Sequence, residues 1–308
     1  MPDAGKTCSA ALAAISLAGC TLVSLDYLQS GEGGSANGGA GGTTSSSTTS
    51  STMSTSSGAM GGAGGSTNPP TYGDCVLASG PAIYLRMSNA STATEPNLGT
   101  LGGSATYVGD VASGPSLIAD DDPSASFAAM GSELVFSGAE SLFGGYSPFS
   151  IEVWLKAPPT IDLASVFRYS DGTNVLALDV RPRGVPDGMD AFELRYSDAT
   201  SLRSTTHFLD LLAPPEPVHH VVAVYQQTAS TAFDGAGDAD DLLLYVDGSL
   251  VEPAGHGDAV PLPTFTADIV IGLGFFGLVD DLAIYDRALD ATEVKAHADA
   301  ADDPSSCL

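Results

Sequence analysis

The distribution of apolar residues divides the chain into three parts. A short apolar stretch from Ala10 to Ala18 comes first, and the segment from Ser30 to Thr71 consists mostly of Gly, Ser, Thr and Ala. From Tyr72 onward, short apolar or alternating runs are separated by Gly, Pro, Asp and Ser, a spacing typical of β-strands. The pattern therefore predicts a leader, a disordered tether that cannot bury enough apolar surface to fold, and one folded domain.

The clearest strand of the folded part runs from Phe149 to Lys156, where apolar and polar residues alternate. Because successive side chains of a strand point to opposite faces, its apolar residues fall on one face. The run from Leu242 to Val246, followed by Asp247-Gly248, predicts a hairpin, since both central residues of such a turn have positive φ. Further strands are predicted at Ala191–Tyr196, Val221–Tyr225, Ile269–Gly272 and Leu282–Tyr285.

One short helix is predicted near the C-terminus, from Val294 to Ala300. The residues from Asp290 to Glu293 resemble a capping box, which marks the start of a helix. Many short strands, one late helix and no alternation of strands with helices predict a two-sheet antiparallel sandwich, an all-β fold.

Cys75 and Cys307 lie at the two edges of the folded part. In an exported chain such an isolated pair is typical of one disulfide, which would bring the two ends of the domain together. Two unpaired thiols are the alternative.

The leader combines a charged start, an apolar stretch and a small-residue ending, which is typical of a secretory signal. Its apolar stretch is too short to cross a bilayer as a helix. The ending Leu17-Ala18-Gly19-Cys20 resembles a bacterial lipobox, which implies removal of residues 1–19 and lipidation of Cys20. An ordinary signal peptide with a chance cysteine is the alternative.

On this interpretation residues 20–71 hold the lipidated cysteine and the tether, and residues 72–308 form the folded domain. Thr21 stands after the lipidated cysteine in place of aspartate, which by analogy with enteric bacteria indicates sorting to the outer membrane. The expected location is the cell envelope, with the chain lipid-anchored at the outer membrane or the cell surface.

The net charge of the chain is −27, and its isoelectric point is near 4.1. Nucleic acids and anionic membrane surfaces bind basic patches, so this charge argues against both as partners. Contact with the membrane is therefore expected through the lipid anchor only.

Several segments of the folded part, taken in order, resemble laminin-G-like, concanavalin-A-like jelly-roll domains. They are Pro81–Met87, Asp120–Phe127, Phe149–Lys156, His219–Tyr225, Leu244–Gly248 and Phe276–Leu289. The resemblance covers roughly residues 80–300 and implies a two-sheet antiparallel jelly roll. Such domains bind glycans or proteins, often as extracellular modules, and some hold a calcium ion.

Two acidic loops are the expected calcium site. Asp120, Asp121 and Asp122 precede one strand, and Asp280 and Asp281 precede the last. In related domains calcium is held by loop carboxylates and backbone carbonyls, and the ion takes about six to eight oxygens. The resemblance therefore implies Ca²⁺ as a cofactor here. Solvated turn residues are the alternative.

Glu152 and Trp154 share the second face of their strand. Relatives that hydrolyse β-glucans carry two carboxylates on one such face, whereas here its other positions are Ser150 and Lys156. A second carboxylate would have to come from another strand, for example Glu193. We therefore expect a domain that is not an enzyme, in which Glu152 and Trp154 contact a ligand. A tryptophan packed under a loop is the alternative.

The sequence as a whole predicts a surface-anchored, non-catalytic binding module for a glycan or an extracellular protein at the bacterial cell envelope. A structural or adhesive envelope protein without a glycan ligand is the first alternative. A divergent glycosidase is the second.

Overall fold

The computed structural model describes residues 70–140, 142–145, 147–157, 163–181, 190–197, 202–209, 217–226, 242–251, 262 and 265–307. The predicted signal segment, the lipidation site Cys20 and nearly all of the tether lie outside these residues. Within them, no helix is long and apolar enough to cross a membrane.

The described residues form many short strands and two α-helices. In chain order they are α1 (Tyr72–Ala78), β1 (Ile83–Leu85), β2 (Thr94–Pro96), β3 (Ser104–Val108), β4 (Val111–Ser113), β5 (Ala125–Phe127), β6 (Glu133–Phe136), β7 (Phe149–Lys156), β8 (Ala164–Ser170), β9 (Val175–Arg181), β10 (Asp190–Ser197), β11 (Leu202–Leu209), β12 (His219–Tyr225), β13 (Leu242–Val246), β14 (Ser249–Leu250), β15 (Ile269–Leu273), β16 (Gly277–Tyr285) and α2 (Ala291–Ala300). A turn of 3₁₀ helix, Pro304–Cys307, follows α2.

The strands form two antiparallel sheets, as the sequence predicts. Sheet A has the order β14-β13-β12-β7-β16-β5-β4, and β1 also pairs with β16. Sheet B has the order β11-β10-β9-β8-β15-β6-β3-β2. The fold is therefore the expected all-β jelly-roll sandwich with one helix near the C-terminus.

The core lies between the inner faces of the two sheets. From sheet A it receives the alternating apolar residues of β7, and from sheet B residues such as Phe167, Leu178 and Phe192. The predicted alternation of β7 is confirmed, yet only Lys156 of this strand is not buried. A second apolar cluster explains this, because α1 and α2 cover the outer face of sheet A with side chains such as Val76 and Val294.

The turn between β13 and β14 confirms the predicted hairpin. Asp247 and Gly248 have φ values of 51° and 73°, which is the conformation that an Asp-Gly pair accommodates. The Asp247 carboxylate also accepts a hydrogen bond from the backbone N–H of His220 at 3.0 Å.

Of the two helices, only α2 was predicted from the sequence. Helix α2 begins after Asp290, whose side chain forms the predicted capping box with Glu293. Helix α1 was not predicted, although Thr71 and Asp74 form a capping box at its start. That Thr-x-x-Asp spacing was the available signal.

The predicted disulfide joins α1 to the 3₁₀ turn after α2. The Cα atoms of Cys75 and Cys307 are 5.8 Å apart, although 232 positions separate them in the sequence. The two ends of the domain therefore meet on the outer side of sheet A.

Candidate functional site

Glu152 lies in a buried polar cluster between sheet A and the helices. Its carboxylate accepts hydrogen bonds from the hydroxyls of Tyr72 at 2.9 Å and Tyr285 at 2.7 Å. It is also hydrogen-bonded to His220 Nε2 at 2.8 Å and to His297 Nδ1 at 3.0 Å. We call these five residues the Glu152 cluster.

Within the Glu152 cluster, Glu152 and His297 each favour the charged form of the other. Burial by itself raises the pKa of Glu152, but the charge of His297 and the hydrogen bonds from both histidines hold that pKa well below its usual value. Burial by itself lowers the pKa of His297, yet the charge of Glu152 raises it overall. The cluster therefore contains a buried ion pair that attaches α2 to sheet A.

Trp154 belongs to the same layer. Its ring stacks on His220 with centroids 4.7 Å apart, and it meets Tyr72 edge to face at 6.1 Å. Trp154 is 8% exposed and Glu152 is fully buried. This placement corrects the prediction that Glu152 and Trp154 contact a ligand, because α1 and α2 cover the face on which a sugar would have to lie.

The loop of Asp120–Asp122 lies near Asp280 and Asp281, as predicted, but the latter two belong to strand β16 and do not precede it. Arg86 lies between the two groups. Its Nη2 is 3.3 Å from Asp120 Oδ2, and it also forms an ion pair with Asp122. Asp121 between them is exposed and has a φ of 63°.

Asp280 and Asp281 are both fully buried beside this group. Asp280 accepts a hydrogen bond from the backbone N–H of Leu117, and Asp281 accepts one from the Tyr84 hydroxyl. Burial raises the pKa of Asp280 to about 8, and burial together with the charge of Asp280 raises the pKa of Asp281 well above its usual value. The charge of Asp120 contributes to both shifts.

In this arrangement the side chains do not fit a calcium ion. The Arg86 guanidinium holds Asp120 and Asp122, and the raised pKa values favour the neutral form of Asp280 and Asp281. Among the residues that the structure describes, no group of three or more His, Cys, Asp or Glu side chains is placed to hold a metal. Calcium binding would require Arg86 to move, and it stays a prediction.

The outer face of sheet B carries a separate set of polar side chains. In β9 the residues Leu176, Leu178 and Val180 point into the core, which places Asp179 on the opposite face. The same alternation in β10 turns Phe192 and Leu194 inward and Glu193 and Arg195 outward. The polar residues of this sheet therefore gather on the face that turns away from the core.

Two ion pairs organise this outer face. Asp179 is fully buried and accepts hydrogen bonds from Ser165 Oγ at 2.6 Å and from Arg195 Nε at 2.8 Å. Next to it, Arg181 Nε lies 3.0 Å from Glu193 Oε2. Asp179 and Glu193 stand opposite each other on neighbouring strands, but each is held by an arginine.

A cavity of about 290 Å³ opens beside these pairs. Its lining comprises Met130, Gly131, Leu163, Ser165, Arg168, Arg195, Leu273 and Gly274. At its rim, Met130 is 88% exposed and Leu163 is 54% exposed. Gly131 has a φ of 82°, and the Ser132 N–H donates to Ala129 O at 3.1 Å, which fits a type II turn that presents Met130.

The cavity was not predicted from the sequence. There Glu193 was considered only as a second carboxylate beside Glu152, whereas the two residues lie in different sheets. One available signal was the scarcity of cations, because Arg168, Arg181 and Arg195 are three of only ten Lys and Arg residues in the chain.

The fold and this cavity together define an antiparallel β-sandwich with a polar recess on one outer face. Residues 131–295 match the sequence model of the concanavalin A-like lectin/glucanases superfamily. The chain therefore belongs to this family. A search of curated proteins found no match.

Solved structures with the same fold include binding domains of bacterial toxins. The binding domain of botulinum neurotoxin DC in complex with SialylT has a TM-score of 0.51 and 11% identity, over 73% of this chain and 52% of that chain. The binding domain of Paraclostridial Mosquitocidal Protein 1 has a TM-score of 0.53 and 14% identity, over 71% and 52%. This chain thus spans about half the length of these domains.

A third structure matches over nearly its full length. Domain 4 of AbnA, a GH43 extracellular arabinanase from Geobacillus stearothermophilus, in complex with arabinotriose, has a TM-score of 0.50 and 16% identity, over 71% of this chain and 98% of that chain. At such low identity these likenesses show the fold alone.

Proposed function

We propose that this protein is a non-catalytic binding module that holds a glycan, or failing that a protein partner, in the cavity on the outer face of sheet B. The observation that carries the proposal is the cavity itself, which combines Ser165, two arginines and an apolar rim. Sites for small ligands typically combine a few polar groups with apolar walls in this way.

Two further observations support this choice of surface. The outer face of sheet A is covered by α1, α2 and the Glu152 cluster. Structural relatives were solved in complex with glycans such as arabinotriose, and one toxin binding domain was solved with rat synaptotagmin II. Both partner classes are therefore compatible with the fold.

The glycosidase alternative has weaker support. Asp179 and Glu193 form the one carboxylate pair on β8–β10 in the described part of the chain, and arginines engage both. Both carboxylates are also buried, whereas a catalytic acid or base has to come within hydrogen-bond reach of the scissile bond.

The apolar rim provides the test of this proposal. Replacing both Met130 and Leu163 with alanine should weaken glycan binding about 10-fold, because each truncation removes apolar surface that a bound sugar would bury. The measurement is a glycan array with the full chain, followed by titration calorimetry on the best ligand. The control variant replaces the exposed Leu98 and Leu101, which do not line the cavity.

Each outcome of that experiment decides between the alternatives. Equal affinity of the rim variant and the control variant would contradict the proposed surface. A protein that co-purifies in the absence of any glycan signal, and that the rim variant binds as well as the control variant does, would favour the adhesive alternative. Repeating the array with calcium and with a chelator tests the calcium prediction at the acidic loops.

The location at the cell envelope is also a proposal, and it rests on the sequence around Cys20. In the native bacterium, the chain should incorporate labelled palmitate, and Cys20→Ala should abolish the label and release the chain from the membrane fraction. A Cys8→Ala variant is the matched control. Labelling that survives the change at Cys20 would contradict the lipid anchor.

A further inference from the structure

The outer face of β8–β10 carries an unbalanced positive charge. Arg195 pairs with Asp179 and Arg181 pairs with Glu193, with distances of 2.8 and 3.0 Å. Arg168 is partly exposed and has no hydrogen-bond or ion-pair partner among the residues that the structure describes. In a chain of net charge −27, carboxylates that could have neutralised Arg168 are abundant.

The strand register places this unpaired arginine inside the cavity. Arg168 and Arg195 both lie opposite Ala177, on strands β8 and β10 at either side of β9. Neighbouring strands are about 4.8 Å apart, so the two arginines start roughly 10 Å from each other. The small side chain of Ala177 fills little of the space between them, and both arginines line the cavity.

Ser165 and Asp179 fix one wall of the recess in advance. Asp179 accepts from both Ser165 Oγ and Arg195 Nε, which fixes the Arg195 side chain in the cavity lining. Arg168 lines the same cavity, and its guanidinium remains available. A planar guanidinium pairs best with a carboxylate, through two parallel hydrogen bonds.

We infer that this cavity selects a sugar residue that bears a carboxylate, and that Arg168 is the group that pairs with it. This inference rests on the proposed function. The recessed shape and the rim of Met130 and Leu163 favour a sugar over an acidic protein segment, because a single residue with one charge and apolar ring faces suits a recess of about 290 Å³.

The test uses pairs of oligosaccharides that differ in the carboxylate alone. Oligogalacturonides are compared with their methyl esters, and sialyllactose is compared with its own methyl ester, by titration calorimetry with the full chain. At least one acid should bind about 10- to 100-fold more tightly than its neutral counterpart, the range expected for hydrogen bonds to a charged group. Arg168→Gln should remove this preference.

Arg181→Gln is the matched control, because Arg181 lies on the same face but outside the cavity lining. It should leave the preference for the acid unchanged. Arg168→Gln should unfold near the midpoint of the native chain, because its side chain has no partner to lose. Arg181 is 48% exposed but its partner Glu193 is buried, so the denaturation midpoint of Arg181→Gln is measured first and binding is compared at a temperature where both variants are folded. Any loss of binding by Arg168→Gln is then a loss of recognition.

The possible failures separate the inference from the proposed function. Equal binding of acids and esters, or an acid preference that survives Arg168→Gln, overturns the inference. If the rim variant still weakens binding in that case, the proposed function stands. If neither the acids nor their esters bind to the folded chain, the inference is overturned, and the proposed function is decided by the glycan array and the rim variant.

Discussion

Replacing Glu152 with alanine will lower the free energy of unfolding by about 3–5 kcal/mol, the range found when one partner of a buried ion pair is removed. The substitution leaves His297 without its anion and leaves the hydroxyls of Tyr72 and Tyr285 and a nitrogen of His220 without an acceptor. None of these groups can reach water without separating α1 or α2 from sheet A. The measurement is chemical denaturation followed by circular dichroism.

Two variants bracket this result. Glu133→Ala removes a partly exposed glutamate of β6 and should change the free energy of unfolding by less than about 0.5 kcal/mol. Glu152→Gln keeps the shape and one acceptor oxygen, so its loss should fall between the two. A loss of less than about 1 kcal/mol for Glu152→Ala would contradict the buried ion pair.

Removing the disulfide will have the second large effect. The double variant Cys75→Ser/Cys307→Ser should lose about 2–5 kcal/mol of unfolding free energy, because the cross-link restricts an unfolded chain over 232 positions. In the folded state the same bond attaches α1 to the 3₁₀ turn. The measurement is the denaturation midpoint with and without a reductant.

Reductant itself supplies the control for this prediction. It should lower the midpoint of the native chain to that of the double variant, and it should leave the double variant unchanged. If the native chain unfolds at the same midpoint in both conditions, the bond does not stabilise the domain.

Regular features of the fold could be predicted from the sequence because each depends on neighbouring residues. The alternation in β7 and the Asp247-Gly248 turn are local signals, and both are confirmed. Helix α1 is seven residues long and follows a low-complexity segment, so its pattern was too short to separate from the tether. So short a helix depends on its packing on sheet A and on the disulfide at Cys75.

The cavity could not be predicted, because an irregularity in β8 reverses the direction of its side chains. In a regular strand Ser165 and Arg168 would point to opposite faces. The strand register shifts between Ser165 and Phe167, so Val166 and Phe167 both enter the core and Arg168 joins Ser165 outside. Such a bulge is set by pairing with β9, a tertiary contact that one sequence does not display.

The error at Trp154 has a similar origin. The alternation of β7 correctly separated the two faces of the strand, but it did not show what covers the second one. That face is occupied by Tyr72 of α1 and His297 of α2, which come from the two ends of the domain. What covers this face depends on the contacts of Glu152 with Tyr72 and His297. These residues are 80 and 145 positions away from it in the sequence.

The position of α1 has a consequence for how the domain is presented. The chain enters the described domain at Thr71 and packs α1 on the outer side of sheet A, whereas the cavity opens on the outer side of sheet B. The point where the chain enters the domain and the cavity therefore lie on opposite outer faces of the sandwich. If the proposed anchor at Cys20 holds the protein, an attachment through the N-terminus does not itself cover the cavity, which stays accessible to large external polymers.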